Sequence, residues 1–250
     1  MENFLKENER IDDLEFKGLK IIQDKTGFCF GIDAVLLSDF AKDIKKDAKV
    51  VDLGTGTGII SILLSSKTKL SKIIGVEVQK NVADMANRSV KLNNLEDKIE
   101  IYNANIKQLK NEFEAGSMDA IVTNPPYKKN DTGILNVEEK KLVSRHEIKA
   151  NLEDFIEISS YLLRNGAPLY MIHRPERLAE IFNTLKQYNL EPKVMRLIYP
   201  KINKEPNLVL IKATKGGKEF LKVLEPLVVY DENGKYTNEI LQIYGKERIE

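Results

Sequence analysis

The chain has 250 residues, 42% hydrophobic and 31% charged, and a formal net charge of +1. Those values describe an ordinary soluble protein long enough for one large, well-buried domain, and no apolar run approaches the ~20 residues that span a bilayer. The near-neutral charge gives no case by itself for a nucleic-acid partner, and the single cysteine, Cys29, excludes an internal disulfide and a cysteine metal cluster.

In chain order, the N-terminus MENFLKENERIDD is polar and acidic, with no leader-like apolar core, so a cytoplasmic location is expected. Residues 1–48 are expected to form an extension packing on the core. Within it, Phe28-Cys29-Phe30 reads as buried packing, and Phe30 to Leu37 as the start of a helix over the ligand site, with Asp33 either facing an amino group of that ligand or serving helix capping or simple packing. From Lys49 the chain alternates apolar strand-like runs with amphipathic helical ones. The runs are 49–53, 72–78, 99–103, 118–123, 167–173, 194–199 and 207–213; the helical stretches between them are 58–66, 81–92, 152–164 and 175–188, with Pro175 suited to a first helical turn. This order predicts an α/β fold over residues 49–250: a doubly wound, mostly parallel seven-stranded sheet. No convincing helix separates the last two runs, so the sheet should end in an antiparallel edge pair. Residues 129–150 form the longest stretch without clear periodicity.

Charge is unevenly spread. From Tyr161 to Lys218 there are eleven Lys or Arg against four Glu, a balance of +7. That is either a solvated lysine-rich surface or a face that contacts phosphates.

Two motifs carry chemistry. Val50-Val51-Asp52-Leu53-Gly54-Thr55-Gly56-Thr57-Gly58 is a strand running through a tight turn into a helix. Its glycines permit positive φ and close approach of a ligand, and the helix points free N–H groups at it. The spacing is G-x-G-x-G, with Ile59 where a dinucleotide fingerprint needs its third glycine, which tilts the reading away from NAD. Nineteen residues beyond Gly58 the next strand run places Glu77 where folds of this winding bind ribose hydroxyls; the bland alternative is a solvated cap.

The second motif is Thr123-Asn124-Pro125-Pro126-Tyr127, directly after an apolar run. Asn-Pro and Pro-Pro are ordinary turn dipeptides, so the motif by itself could simply end a strand. Proline has no N–H and a fixed φ, and it holds the preceding residue extended, so the pair also makes a stiff corner that aims carbonyls outward.

The glycine turn with Glu77 resembles the cofactor half of the class I S-adenosylmethionine-dependent methyltransferases, and NPPY resembles their amino-methylating branch. That resemblance implies a Rossmann-like fold, S-adenosyl-L-methionine as cofactor, no metal, and catalysis by Asn124, Pro125, Pro126 and Tyr127. In such a site the Asn124 side-chain oxygen and the Pro125 carbonyl would accept the two hydrogens of a poorly nucleophilic conjugated amine, while Tyr127 stacks on a planar target. The cofactor would meet Asp52, Gly54, Thr55, Gly56, Gly58, Glu77, Val78, Ile106, Asn124 and Asp33. Asn105 stands where the family usually offers an aspartate to the adenine amine; its amide oxygen is the weaker acceptor.

Phe30-Gly31-Ile32-Asp33-Ala34-Val35-Leu36-Leu37, Ser144-Arg145-His146-Glu147, Met171 to Leu178 and Glu191-Pro192-Lys193 extend the resemblance to bacterial tRNA adenine N6-methyltransferases acting on adenine 37 of a valine tRNA. It implies tRNA as partner, with Lys128, Lys129, Arg145, His146 and Arg174 near RNA phosphates, or else a solvated loop; the sequence leaves the oligomeric state open, with a monomer favoured. The alternatives are guanine N2 of ribosomal RNA, a glutamine amide of a protein, or a non-catalytic RNA-binding subunit. The short segment before the glycine turn counts against the glutamine enzymes, and the absence of room for a recognition domain counts against a DNA target.

Overall fold

The computed structural model describes residues 4–26, 31–127 and 150–246. Its main sheet is built from β3 (Lys49–Leu53), β4 (Lys72–Glu77), β5 (Ile99–Asn103), β6 (Ala120–Thr123), β7 (Pro168–His173), β8 (Leu190–Tyr199) and β9 (Leu208–Lys215). These are the seven runs expected from sequence. Two two-residue strands, β10 (Lys222–Val223) and β11 (Leu227–Val228), add parallel to the outer edge of β8.

The strand order is β10-β8-β9-β7-β6-β3-β4-β5. Neighbours from β5 to β7 are parallel, while β9 runs antiparallel between β7 and β8. The antiparallel pair is thus present, with the last long strand inserted inside the second-last. β8 begins at Leu190, four residues before the expected run, and crosses Pro192 through a register shift between Pro192 and Val194. A bulge is where a strand can accept a residue without an N–H.

The core explains why the strands are continuously apolar. Val50, Ile73, Ala120, Val122, Tyr170 and Ile172 join one buried cluster, and Val51, Leu53, Ile74, Val76, Ile121, Leu169 and Met171 join the other. Alternate residues point to opposite faces, so both parities must be apolar when helices cover both sides. On the first face lie α1 (Ile32–Phe40) and α2 (Ile59–Lys67), and on the second lie α4 (Leu152–Leu162) and α5 (Leu178–Gln187). Asn151 and Asp154 form a capping box that starts α4, and Pro175 opens a 3-10 turn leading into α5.

The first 48 residues contribute more than the one helix expected of them. Among those described, β1 (Glu9–Asp13) and β2 (Lys20–Asp24) form a separate antiparallel hairpin. It docks on α3 (Lys80–Leu92): Arg88 pairs with Glu9, Ser89 accepts the Ile22 N–H, and the Asn93 amide bonds both backbone groups of Lys20. Side chains of a helix thereby satisfy a strand edge that has no sheet neighbour. The short helix α6 (Asn238–Ile243) closes the first face of the core, with Ile240 and Ile243 buried.

Register places the chemistry. Leu53 pairs with both Val76 and Thr123, and Glu77 with Asn103, so β3, β4, β5 and β6 end together. The chain leaves β3 toward β4 and later returns on its other side as β6. That reversal is the switch point where open α/β sheets bind ligands.

Candidate active site

The glycine turn leaves β3 with Gly54, Gly56 and Gly58 at φ of 71°, 58° and 90°. Gly54 has a second constraint: a Cβ there would lie 3.3 Å from the Phe155 ring of α4. The turn is held from beneath by Asp52, which is fully buried. Its Oδ2 accepts from the Thr55 hydroxyl at 2.6 Å and the Ser61 hydroxyl at 2.8 Å, while Oδ1 is buried with no partner. Burial pushes this carboxyl up from 3.8 to about 6.

Glu77 braces the turn from the neighbouring strand. Its Oε2 accepts the Gly56 N–H at 3.1 Å and its Oε1 the Gln79 N–H at 2.9 Å. Each oxygen keeps a lone pair for another donor. Burial raises this carboxyl above the usual range, against those two bonds, which lower it. Beside it Val78 is 39% exposed, an apolar side chain left open to solvent. Asn103 fixes the strand ends by donating to the Glu77 and Val78 carbonyls. Asn105 caps the 3-10 helix Ile106–Asn111 by accepting the Lys107 N–H at 3.0 Å, and Ile106 is buried. The expected adenine contact therefore already holds one hydrogen bond on its amide oxygen.

On the other side of β3 stands the NPPY corner. Asn124 donates Nδ2–H to Asp33 Oδ2 at 3.0 Å, which turns its Oδ1 the other way; that oxygen is buried and has no partner. No described residue donates to the Pro125 carbonyl. Pro125 is buried and Pro126 exposed. The Tyr127 hydroxyl donates to the same Asp33 Oδ2 at 2.9 Å. Its ring meets His173 edge-on at 5.1 Å, and the Arg174 guanidinium lies 5.0 Å above it. Burial, then the Asp33 charge, raises the Tyr127 phenol well above its usual value, so it stays a neutral donor.

His173 ends β7 fully buried. Its Nδ1 accepts the Arg174 N–H at 2.7 Å, so the neutral ring carries its proton on Nε2, which has no partner. Burial lowers its pKa from 6.5 to about 4. It supports Tyr127 as a neutral aromatic.

Most expected cofactor and corner residues therefore converge at the C-terminal ends of the central strands β3, β4 and β6. Asp33 is the exception in its surroundings: its carboxylate answers Asn124, Tyr127 and the Ala34 N–H. Arg174, expected against RNA phosphate, spends its guanidinium on the Asn207 carbonyl and the Tyr127 ring. Lys128, Lys129, Arg145 and His146 lie outside the described residues, as do Cys29 and all of the 129–150 stretch except Ala150. Sequence reasoning missed Ser61, Phe155 and the Tyr127 to His173 contact, none of which carries a motif.

The basic half of the chain is also largely used internally. Arg164, Arg177, Lys186 and Arg196 pair with Asp119, Glu180, Glu191 and Glu239. Lys193 and Lys215 bond backbone carbonyls, and Lys212 lies over the Tyr170 ring. Among the described residues, Lys201, Lys204 and Lys218 are left without a side-chain partner. Eight of the eleven cations therefore have structural partners within the protein. Among the described residues no group of three or more His, Cys, Asp or Glu could hold a metal ion, and no helix is long and apolar enough to cross a membrane.

Comparison with known proteins bears on the same region. The family model described as methyltransferase small domain matches residues 30–174. A curated protein of Flavobacterium johnsoniae, named tRNA1(Val) (adenine(37)-N6)-methyltransferase, is 28% identical over 189 residues, covering 73% of this chain and 77% of that one. A Haemophilus influenzae protein of the same name is 25% identical over 233 residues, covering 91% and 94%. Among solved structures, an Agrobacterium tumefaciens protein described as a predicted O-methyltransferase superposes with a TM-score of 0.69 at 21% identity, covering 85% of this chain and 95% of that one. Geranyl diphosphate C-methyltransferase from Streptomyces coelicolor superposes at 0.55 and 15% identity, covering 73% and 78%. These two structures share the fold while their names specify different acceptor atoms, so the acceptor must be argued from the site.

Proposed function

The chain belongs to the methyltransferase small domain family, and from that premise we propose that it transfers a methyl group from S-adenosylmethionine to the N6 amine of an adenine in tRNA. Adenine 37 of a valine tRNA, the acceptor in the names of the two curated relatives, is the acceptor proposed for this chain, with the reaction in the cytoplasm.

The observation that carries this reading is the Asn124 oxygen, buried and unpartnered at the end of β6, one strand from the glycine turn. An exposed orphan would be solvated; a buried one costs about 1–3 kcal/mol, and a hydrogen-bond donor in the substrate can repay it. An exocyclic amine offers two donors. With Asn124 Oδ1 and the Pro125 carbonyl accepting both, its lone pair is drawn out of conjugation and directed along the normal to the base. Tyr127, fixed by Asp33, His173 and Arg174, supplies the aromatic surface against which that base lies.

The residues at the turn fit the proposed cofactor. Glu77 keeps a free lone pair on each oxygen for a ribose diol, Val78 offers an exposed apolar contact for a purine, and Asp52 holds an unpartnered buried oxygen beneath a cationic ligand. S-adenosylmethionine supplies an activated methyl group on a positively charged sulfur: the nitrogen lone pair takes the methyl as the S–C bond breaks, the neutral thioether leaves and the surplus N–H proton passes to solvent, so the task of the chain is to position the amine.

Methyl transfer to unmodified tRNA followed by nucleoside mass spectrometry tests the reading. Wild-type protein should yield N6-methyladenosine in tRNA and Asn124→Ala should lose at least about a hundredfold in kcat, as expected for loss of an interaction made to the reacting group. Methylation of ribosomal RNA or of a protein glutamine instead would refute the acceptor.

A further inference from the structure

We propose that Asp33 is the positioning residue of the transfer: it fixes which end of the Asn124 amide faces the target amine. The proposal rests on the reading of Asn124 given above and extends it to a residue on a different element.

Three observations converge. First, Asn124 Nδ2 and the Tyr127 hydroxyl both donate to one oxygen, Asp33 Oδ2, at 3.0 and 2.9 Å. An ionised carboxylate only accepts, so it admits the donor end of the amide and excludes the acceptor end. Second, Asn124 Oδ1, turned away from Asp33, is the buried oxygen with no partner. Had the amide been flipped, the site would present an N–H to an amine that itself donates. Third, the backbone around Asp33 is shaped to hold it: Oδ1 accepts the Ala34 N–H at 3.0 Å, and a Cβ on Gly31 would come within 2.8 Å of that same oxygen. Gly31 has φ of −103°, so it is the approach of the carboxylate that calls for glycine there.

Asp33 is 9% exposed, and all its described bonds lie within this corner. One carboxylate thereby sets the amide of the catalytic asparagine and the hydroxyl of the stacking tyrosine together. It also ties α1 to the end of β6, two elements that share no strand pairing.

The test is a double-mutant cycle, with cofactor binding measured alongside. In Asp33→Asn the new amide can offer either end to Asn124, and Asn124 is free to flip. The expected result is a fall in kcat of about tenfold to a hundredfold, S-adenosylmethionine affinity within twofold of wild type, and, when Asp33→Asn is added to Asn124→Ala, a further loss smaller than Asp33→Asn causes alone, because only the Tyr127 bond then remains to be disturbed. Gly31→Ala, which displaces the carboxylate without removing it, should fall in the same direction and by less. Independently of turnover, the Asn124 side-chain amide protons in nitrogen-15 spectra should be protected from exchange in the wild type and lose that protection in Asp33→Ala.

The proposal is overturned if Asp33→Asn leaves kcat unchanged, if its effect multiplies with that of Asn124→Ala, or if its main effect is a tenfold or larger loss of cofactor affinity. The last result would make Asp33 a cofactor contact. If the wild type methylates no RNA, the proposed function fails, whereas the amide-exchange measurement still decides the role of Asp33.

Discussion

Replacing Asp52 with asparagine removes a charge from one of the most enclosed places in the molecule. The carboxylate is fully buried, two hydroxyls serve Oδ2 and nothing serves Oδ1. Asparagine has the same shape, so its oxygen can keep both hydroxyl bonds, and the unpartnered oxygen becomes an unpartnered amide. What changes is titration. The Asp52 carboxyl moves from 3.8 to about 6 on folding, a displacement worth about 3 kcal/mol. Because the folded value is raised, that stability is fully present below pH 3.8 and is lost as pH rises through about 6. His173 acts in the opposite sense. Its value falls from 6.5 to about 4, so its stability is present above pH 6.5 and is lost as pH falls through about 4. The two slopes oppose each other over the same range. In Asp52→Asn one of them is gone, and the stability of the variant relative to wild type should fall by about 1.4 kcal/mol between pH 7 and pH 5. Urea unfolding at both pH values measures this difference of differences, in which any constant cost of the substitution cancels. Parallel pH profiles for variant and wild type would refute the reasoning, because Asp52 would then not titrate in that window.

Glu77→Gln should raise the dissociation constant for S-adenosylmethionine by about 10- to 100-fold by calorimetry, the loss expected for one hydrogen bond to a charged group, while the fold persists; unchanged affinity would remove Glu77 from the cofactor site. Gly54→Ala must adopt φ of 71° and press on Phe155, whereas the Cβ of Gly58→Ala meets Ala86 at an ordinary 3.5 Å. Both should lose about 1–2 kcal/mol for the left-handed residue, with the larger fall in Tm for Gly54→Ala. His173→Phe removes the neutral imidazole behind Tyr127, and its stability should fall less than that of wild type between pH 6.5 and pH 4, read from the same urea curves.

The amino-acid sequence by itself determined the seven long strands, the helices between them and the two motifs. Local physics suffices there. Both parities of a strand such as Lys49–Leu53 are apolar because both faces are covered, and glycines at alternate positions after a strand have few uses other than a tight turn. Strand boundaries in β3, β5 and β9 fell within two residues of expectation. The hairpin of β1 and β2 was not legible, since Glu9-Arg10-Ile11-Asp12-Asp13 carries no strand pattern and is held by Arg88, Ser89 and Asn93 some seventy residues away.

Side-chain roles divided in the same way. Backbone-driven assignments, such as the glycine turn and the stiffness of Asn124 to Tyr127, needed only local sequence. The fate of each polar atom depended on partners that only folding brings near. Asp33 meets a residue ninety-one positions along the chain, and Arg174 turns to Asn207 and Tyr127. Most of the cations between Tyr161 and Lys218 turn to partners inside the protein, among them Asp119, Glu239 and main-chain carbonyls. Hydrogen bonds and ion pairs reach only a few ångströms, so the packing of distant segments decides which of them form. The tertiary structure alone could therefore show that the Asn124 oxygen is left buried without a donor.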